Sequence, residues 1–474
     1  MPHAPTPFQC ISPADFRYWR KDVAQFMSEE GYMGYLGRVE LALSSALVNR
    51  NICPASCAEE IERAIPQVKA EDVYEEEGRT HHDINAYNNV LGRYVSLSTK
   101  RFIHIGATSS DKIDTANAAR IRDCITCAII PDLKRLVTEL IIQAIRHKDT
   151  PQISRTHLQH ALPSTFGFSL LKYIGGLTDC IISLEQLVDG MPGKMSGAIG
   201  GYHSFSVFIP SPIEFECFVL DDLKLKTGIS STQVVLTQRM QRVFNELQNI
   251  AAVLADMGDD FRDLQRPEIA ETCEPFAKGQ QGSSTMKHKR NPITFENAVG
   301  LWRVIVGHMA TLNLCQSSNH QRDLRTTAPL RTVGEILNYL DFAVARLTNV
   351  FSRLQVFPEN MQRNLKMQAH LYGAEAAYIH LALAGLDDAN GHVARVIHES
   401  TAEAGTPLHT MLNADSITGP YMIGLSHDAQ QMIAGPDVHY YGLTPNLAET
   451  RARECAELLH LDPDQINQGI TMTI

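Results

Sequence analysis

The feature that most restricts this chain is an unbroken helical periodicity over residues 233–265. Val234, Val235, Met240, Val243, Phe244, Leu247, Ile250, Val253, Leu254 and Met257 recur there at spacings of three and four, with no Pro or Gly before Gly258. Side chains so spaced share one face of an α-helix. Similar runs cover about 112–147, 165–190, 295–316 and 334–355, and strand signals are few and short. Several of these runs exceed an ordinary surface helix, so each needs a partner along its length, as in a bundle. The pattern predicts an all-α protein. At 474 residues the chain also exceeds what one hydrophobic core supports. Punctuation suggests three helical domains: 1–110, a central long-helix bundle at 111–362 carrying the loop described below, and 363–474. Gly106–Asp111 reads as a loop entering a helix, with Ser110 or Asp111 as its N-cap. Pro358 follows the last long helix of the middle part.

Composition narrows the function. A formal net charge of -11 argues against nucleic acid or an anionic membrane surface as the main partner. No window approaches the roughly 18 uninterrupted apolar residues of a spanning helix, and Met1–Arg20 lacks the pattern of a secretory signal. The expected location is the cytoplasm. Cys124 and Cys127 form a lone CxxC and Cys53 and Cys57 a lone CxxxC, without the further ligands zinc needs. No metal is expected, and the ten cysteines read as reduced thiols.

The chemistry concentrates in Gln280–Pro292, QQGSSTMKHKRNP, which lies between two helix-like stretches. Gly, two Ser, Thr and several cations in so short a span do not make a core segment. They suit a mobile loop whose backbone amides bind an anion, or, more blandly, a solvated basic loop. The segment resembles the GSSxMPxKxNP signature of the fumarase/aspartase superfamily through Gly282, Ser283, Ser284, Met286, Lys289, Asn291 and Pro292, with Lys287 where Pro is usual. Residues 104–115, HIGATSSDKIDT, are similar to the HxGxTSxDxxDT stretch of the adenylosuccinate lyases in that superfamily. Residues 154–160, SRTHLQH, followed by Pro163, Thr165, Phe166 and Gly167, are similar to their RTHxQxAxPxTFG segment. His82-Asp83, the stretch 193–200, Thr232-Gln233 and Arg17-Tyr18 also have counterparts in the same order.

The resemblance implies a cofactor-free β-elimination that releases fumarate from a nitrogen-substituted succinate. Removing a proton beside a carboxylate builds a doubly negative aci-carboxylate, which needs preorganised donors and a cation. By resemblance Ser283 is the base, and Lys289, Asn291 and the amides near Ser284 and Thr285 stabilise the charge. His157 is then the general acid for the leaving nitrogen, His82 the second histidine, and Glu296 a carboxylate that orients an imidazole. His81, beside His82, is the decoy. Arg17, Tyr18, Asp83, Thr108, Ser109, Gln233, Ser284, Met286 and Asn291 are implied to bind substrate.

The nucleotide end matches less well. Residues 320–331, HQRDLRTTAPLR, keep Arg322, Asp323 and Arg331 of the family's HERDISHSSxxR, with Thr327 in place of Ser and Arg325 as an additional cation. Arg322, Thr327 and Arg331 are the implied phosphate ligands. Two substrates therefore fit: adenylosuccinate with its ribotide relative, or another nitrogen-bearing succinate such as argininosuccinate or aspartate. A non-enzymatic structural protein on the same scaffold predicts damage at the loop serine or the histidines, and both are intact. The resemblance also implies a homotetramer whose active sites draw residues from several chains.

Overall fold

The computed structural model describes residues 14–276, 279, 282–317, 319–321, 325–399 and 405–472. The described chain is helical throughout, with only three two-stranded sheets. It forms two compact units, each drawn from three stretches of chain. The first takes residues 1–134, 179–255 and 297–346, and the second takes 135–178, 256–296 and 347–474. Every division between them falls inside a long helix.

The predicted long helices are present: Ile130–Arg146, Leu171–Asp189, Thr237–Leu264, Ile293–Leu314 and Val333–Phe351. In Thr237–Leu264 the residues Val243, Phe244, Leu247, Ile250, Leu254 and Met257 are all buried, each such burial being worth about 1.5–3 kcal/mol. That helix starts four residues later than its periodicity suggests. Val235 instead donates its N–H to Asp114 at 2.8 Å and bridges to Ser231, with Val234 in the bend between them. Ser109–Cys124 runs through a π turn at Ile125–Ile129 into the next helix, whose second residue is Pro131. Proline lacks the N–H that would close a regular turn there.

The stretch Phe166–Asp189 reaches a mean hydropathy of 1.2, which is long and apolar enough to cross a membrane by composition alone. Phe166, Leu170, Ile174, Leu177, Ile181 and Leu184 on it are fully buried, as in the core helix of a folded protein. In the second unit Phe261 stacks on Phe295 at 5.2 Å and meets Phe351 edge-on at 4.9 Å. Those rings seat the helix that follows the Ser283 loop.

Candidate functional site

In the first unit, Thr108 and Ser109 stand at the start of the helix Ser109–Cys124. Its N-cap is Thr108, not Ser110 or Asp111. Asp111 sits one turn in and is fully buried, and its carboxylate accepts the Thr108 N–H at 2.7 Å. The same carboxylate accepts from the buried ammonium of Lys194 and from the backbone N–H groups of Ser196, at 3.0 Å, and Gly197, at 3.1 Å. One buried charge thus ties the Thr108–Ser109 turn to the loop 193–200. Gly200 closes that loop at φ 75°, where an added Cβ would lie 2.3 Å from the Ser231 carbonyl. Beside it, Lys112 pairs with buried Glu40 at 2.5 Å, and Glu40 accepts the His104 N–H at 2.8 Å. Burial, helped by Lys112, pulls the His104 imidazole down to about 4, so this ring is neutral at physiological pH.

His82 caps the helix Asp83–Leu91, its Nδ1 accepting from the Asn85 N–H at 3.4 Å, while Asp83 accepts the Ile84 N–H. His81 takes the left-handed position that ends the preceding helix. Arg17 is exposed at the end of a single helical turn. The Tyr18 ring packs edge-on to Phe342 at 5.0 Å, and its carbonyl accepts from Asn338. Gln233 is half-buried just ahead of the Val235 bridge. Thr327 opens a single-turn helix that Arg331 terminates. Arg322 lies outside the described residues.

The second unit carries the remaining candidates. His157 lies at the tip of a hairpin, Pro151–Thr156 against Gln159–Thr165, that the helical reading did not anticipate. The two residues of its turn, His157 and Leu158, have φ of 53° and 61°. Such a turn favours Asn-Gly, so two side-chain-bearing L-residues there are strained, as at functional sites. The hairpin is held from beneath by Glu271, which is fully buried. Its carboxylate accepts from Arg155 at 2.7 Å, Gln152 at 2.8 Å and Asn364 at 2.8 Å.

The loop 282–292 is built on its own backbone. A Cβ at Gly282 would lie 1.9 Å from the Lys289 carbonyl, so only glycine fits. Ser283 Oγ accepts N–H bonds from Met286 at 3.0 Å and Thr285 at 3.4 Å. Asn291 donates to the Gly282 carbonyl, and Lys287 to the Ser284 carbonyl. Glu274 then caps the following helix by accepting from Thr294 and Phe295 at 2.8 and 2.9 Å, a carboxylate at the positive end of the helix dipole. Ser284, Met286, Lys289 and Glu296 are exposed.

A cavity of about 1020 Å³ at the hairpin is lined by His157, Arg155, Lys172 and Tyr173, and one of about 820 Å³ by Lys289, Asn291 and Glu296. Asp263 and Arg266 line both. Among the described residues no hydrogen bond or ion pair joins Ser283 to His157. Asp111, Lys194 and Glu271 escaped the sequence reading as site-building groups. Among the described residues no cluster of three or more His, Cys, Asp or Glu has the arrangement of a metal site.

Comparison with known proteins agrees with this architecture. The profile of the lyase family matches residues 11–307. The chain is 36% identical to adenylosuccinate lyase from Pyrococcus abyssi (strain GE5 / Orsay), over 81% of this chain and 85% of that one. It is 33% identical to adenylosuccinate lyase from Streptococcus mutans serotype c, over 78% and 84% of the two chains. Among solved structures, the 3-carboxy-cis,cis-muconate lactonizing enzyme from Pseudomonas putida superposes with a TM-score of 0.79 at 25% identity, covering 94% of this chain and 99% of that one. Fumarate lyase from Mesorhizobium sp. BNC1 shares the fold, with a TM-score of 0.79 at 21% identity over 92% and 98% of the chains. The chain belongs to this lyase family, among the adenylosuccinate lyases of the fumarase/aspartase superfamily.

Proposed function

We propose that this protein cleaves adenylosuccinate to AMP and fumarate, and the related succinylated ribotide SAICAR to AICAR, in purine biosynthesis. The observation that carries the proposal is the Ser283 oxygen, held by the Met286 and Thr285 N–H groups. Donors aimed at a hydroxyl oxygen stabilise its alkoxide and so lower the pKa that makes serine a poor base. Ser283 takes the proton from the carbon beside a substrate carboxylate, and the electron pair moves onto that carboxylate. Lys289, Asn291 and the loop amides near Ser284 and Thr285 balance the second negative charge. The carbon–nitrogen bond then breaks, and His157 protonates the departing nitrogen. His82 orients this group or the substrate, and Glu296 holds an imidazole tautomer. Thr108, Ser109 and Gln233 bind the carboxylates, and Ser284 and Met286 also bind the substrate. Arg17, Tyr18 and Asp83 bind the substrate, and Arg322, Thr327 and Arg331 bind its phosphate.

In this reading the enzyme is a cytoplasmic homotetramer that uses no cofactor, and His82, His157 and Ser283 of one site come from different subunits. Exposure of His157, Lys289 and Glu296 in the single chain supports that arrangement. Mixing inactive His157→Ala and Ser283→Ala proteins then restores part of the activity, and no recovery at all counts against shared sites. The division at 110 and 362 is likewise proposed; calorimetric unfolding in separable steps supports it, and a single cooperative transition removes it.

A second reading draws on Lys287 and Arg325, two cations beyond the family pattern. With these, the substrate is another nitrogen-bearing succinate. Fumarate absorbance with adenylosuccinate, argininosuccinate and aspartate separates the two. Release from adenylosuccinate alone supports the first, and release only from another succinate overturns it.

A further inference from the structure

One half-buried cation has no role in the elimination. Arg120, on the helix Ser109–Cys124, lines a cavity of about 240 Å³ within the first unit. Its Nε donates to Asn117 at 2.8 Å, and its plane lies over the Tyr32 ring at 4.5 Å. Its two terminal nitrogens have no acceptor among the described residues. Asp114, the one carboxylate among the described wall residues, accepts the Val235 N–H, and nearby Glu29 accepts from Tyr74.

Burial disfavours the charged guanidinium more than Tyr32 and Glu29 compensate, and Arg331 adds repulsion, so the group falls below its ordinary range. Arginine does not discharge by losing its proton, and a partly buried charge with no carboxylate in direct contact is costly. Ile121, Met240, Phe244, Leu330 and Val333 give the cavity an apolar side, and Gln238, Gln316, His320 and Thr326 also line it. A planar fork of donors matches a carboxylate, and an apolar cavity of about 150 Å³ is enough for a benzene ring.

We propose that this cavity binds a small organic anion, a carboxylate on a flat apolar body, with its oxygens on the terminal N–H groups of Arg120. The body lies against Ile121, Phe244 and Val333. Thr232 and Val234 also line the cavity, flanking Gln233 in sequence, so an occupant reaches a segment that carries a proposed substrate-binding amide. Thr326 and Leu330 of the cavity wall flank the proposed nucleotide ligands Thr327 and Arg331 in sequence, but binding at Arg120 rests on no step of the elimination.

Calorimetric titration of the full-length protein with benzoate, and with benzamide as the neutral isostere, tests this. Benzoate binds saturably, and at least tenfold more tightly than benzamide. Arg120→Met keeps the apolar stem and weakens benzoate at least tenfold. Asn117→Asp sets a carboxylate beside the guanidinium, does the same, and raises the melting temperature of the unliganded protein. It carries the test alone should Arg120→Met fail to fold. Absence of saturable binding at millimolar benzoate, or undiminished binding in Asn117→Asp, overturns the proposal.

Discussion

Replacing Asp111 with Leu strips the buried Lys194 ammonium of its carboxylate. The lysine is then left with the Gly197 carbonyl at 3.0 Å. A buried charge that loses its partner costs about 3–5 kcal/mol. The Thr108, Ser196 and Gly197 N–H groups lose their acceptor as well, at about 1–3 kcal/mol for each that stays dry. These losses share one site and do not add in full, so a total near 5 kcal/mol is expected, comparable with the whole stability of a marginal domain at about 5–15 kcal/mol. The double variant Asp111→Leu/Lys194→Met removes the stranded ammonium and restores about 3 kcal/mol, leaving only the orphaned amides. Urea unfolding followed by circular dichroism, at one protein concentration, measures both variants. A loss below 1 kcal/mol for Asp111→Leu, or a double variant less stable than the single, refutes the reasoning. Fumarate release should fall with Asp111→Leu, because the turn carrying Thr108 and Ser109 loses its anchor.

Two other residues give separate tests. Leu158 holds φ 61° in the hairpin turn; Leu158→Gly relieves about 1–2 kcal/mol of left-handed strain at a smaller entropic cost. A rise in melting temperature with a drop in turnover is expected, and a fall in melting temperature contradicts it. His104 is held near 4 in the fold against about 6.5 in the unfolded chain. Protons therefore bind the unfolded chain first, and the stability from the neutral ring, complete above about 6.5, is lost as pH falls toward 4, by about 3 kcal/mol. His104→Asn tolerates the backbone at φ 62° and should flatten the stability–pH slope between pH 7 and 5; equal slopes refute the assignment.

The long helices were legible because apolar residues recur with the helical period, as Val243, Phe244, Leu247, Ile250 and Leu254 do. Helix starts were less so, because tertiary bonds decide them. Asp114 captures the Val235 N–H and Asp111 captures the Thr108 N–H. The hairpin at His157 was hidden because its turn contains neither Gly nor Asn, and surrounding structure imposes two left-handed residues. The Ser283 loop was readable as an ordered motif. The buried charges beneath the sites were not: Lys194 lies 83 residues from Asp111, and Arg155 lies 116 from Glu271. No local pattern announces a pairing at that separation.

The direct test of the elimination chemistry is single-turnover cleavage of adenylosuccinate by Ser283→Ala beside the unaltered enzyme. Loss of the base should slow the chemical step by about 10²–10⁴ while substrate still binds within a fewfold of its usual affinity. Fumarate appearing at the unaltered rate from the alanine variant contradicts Ser283 as the group that takes the proton.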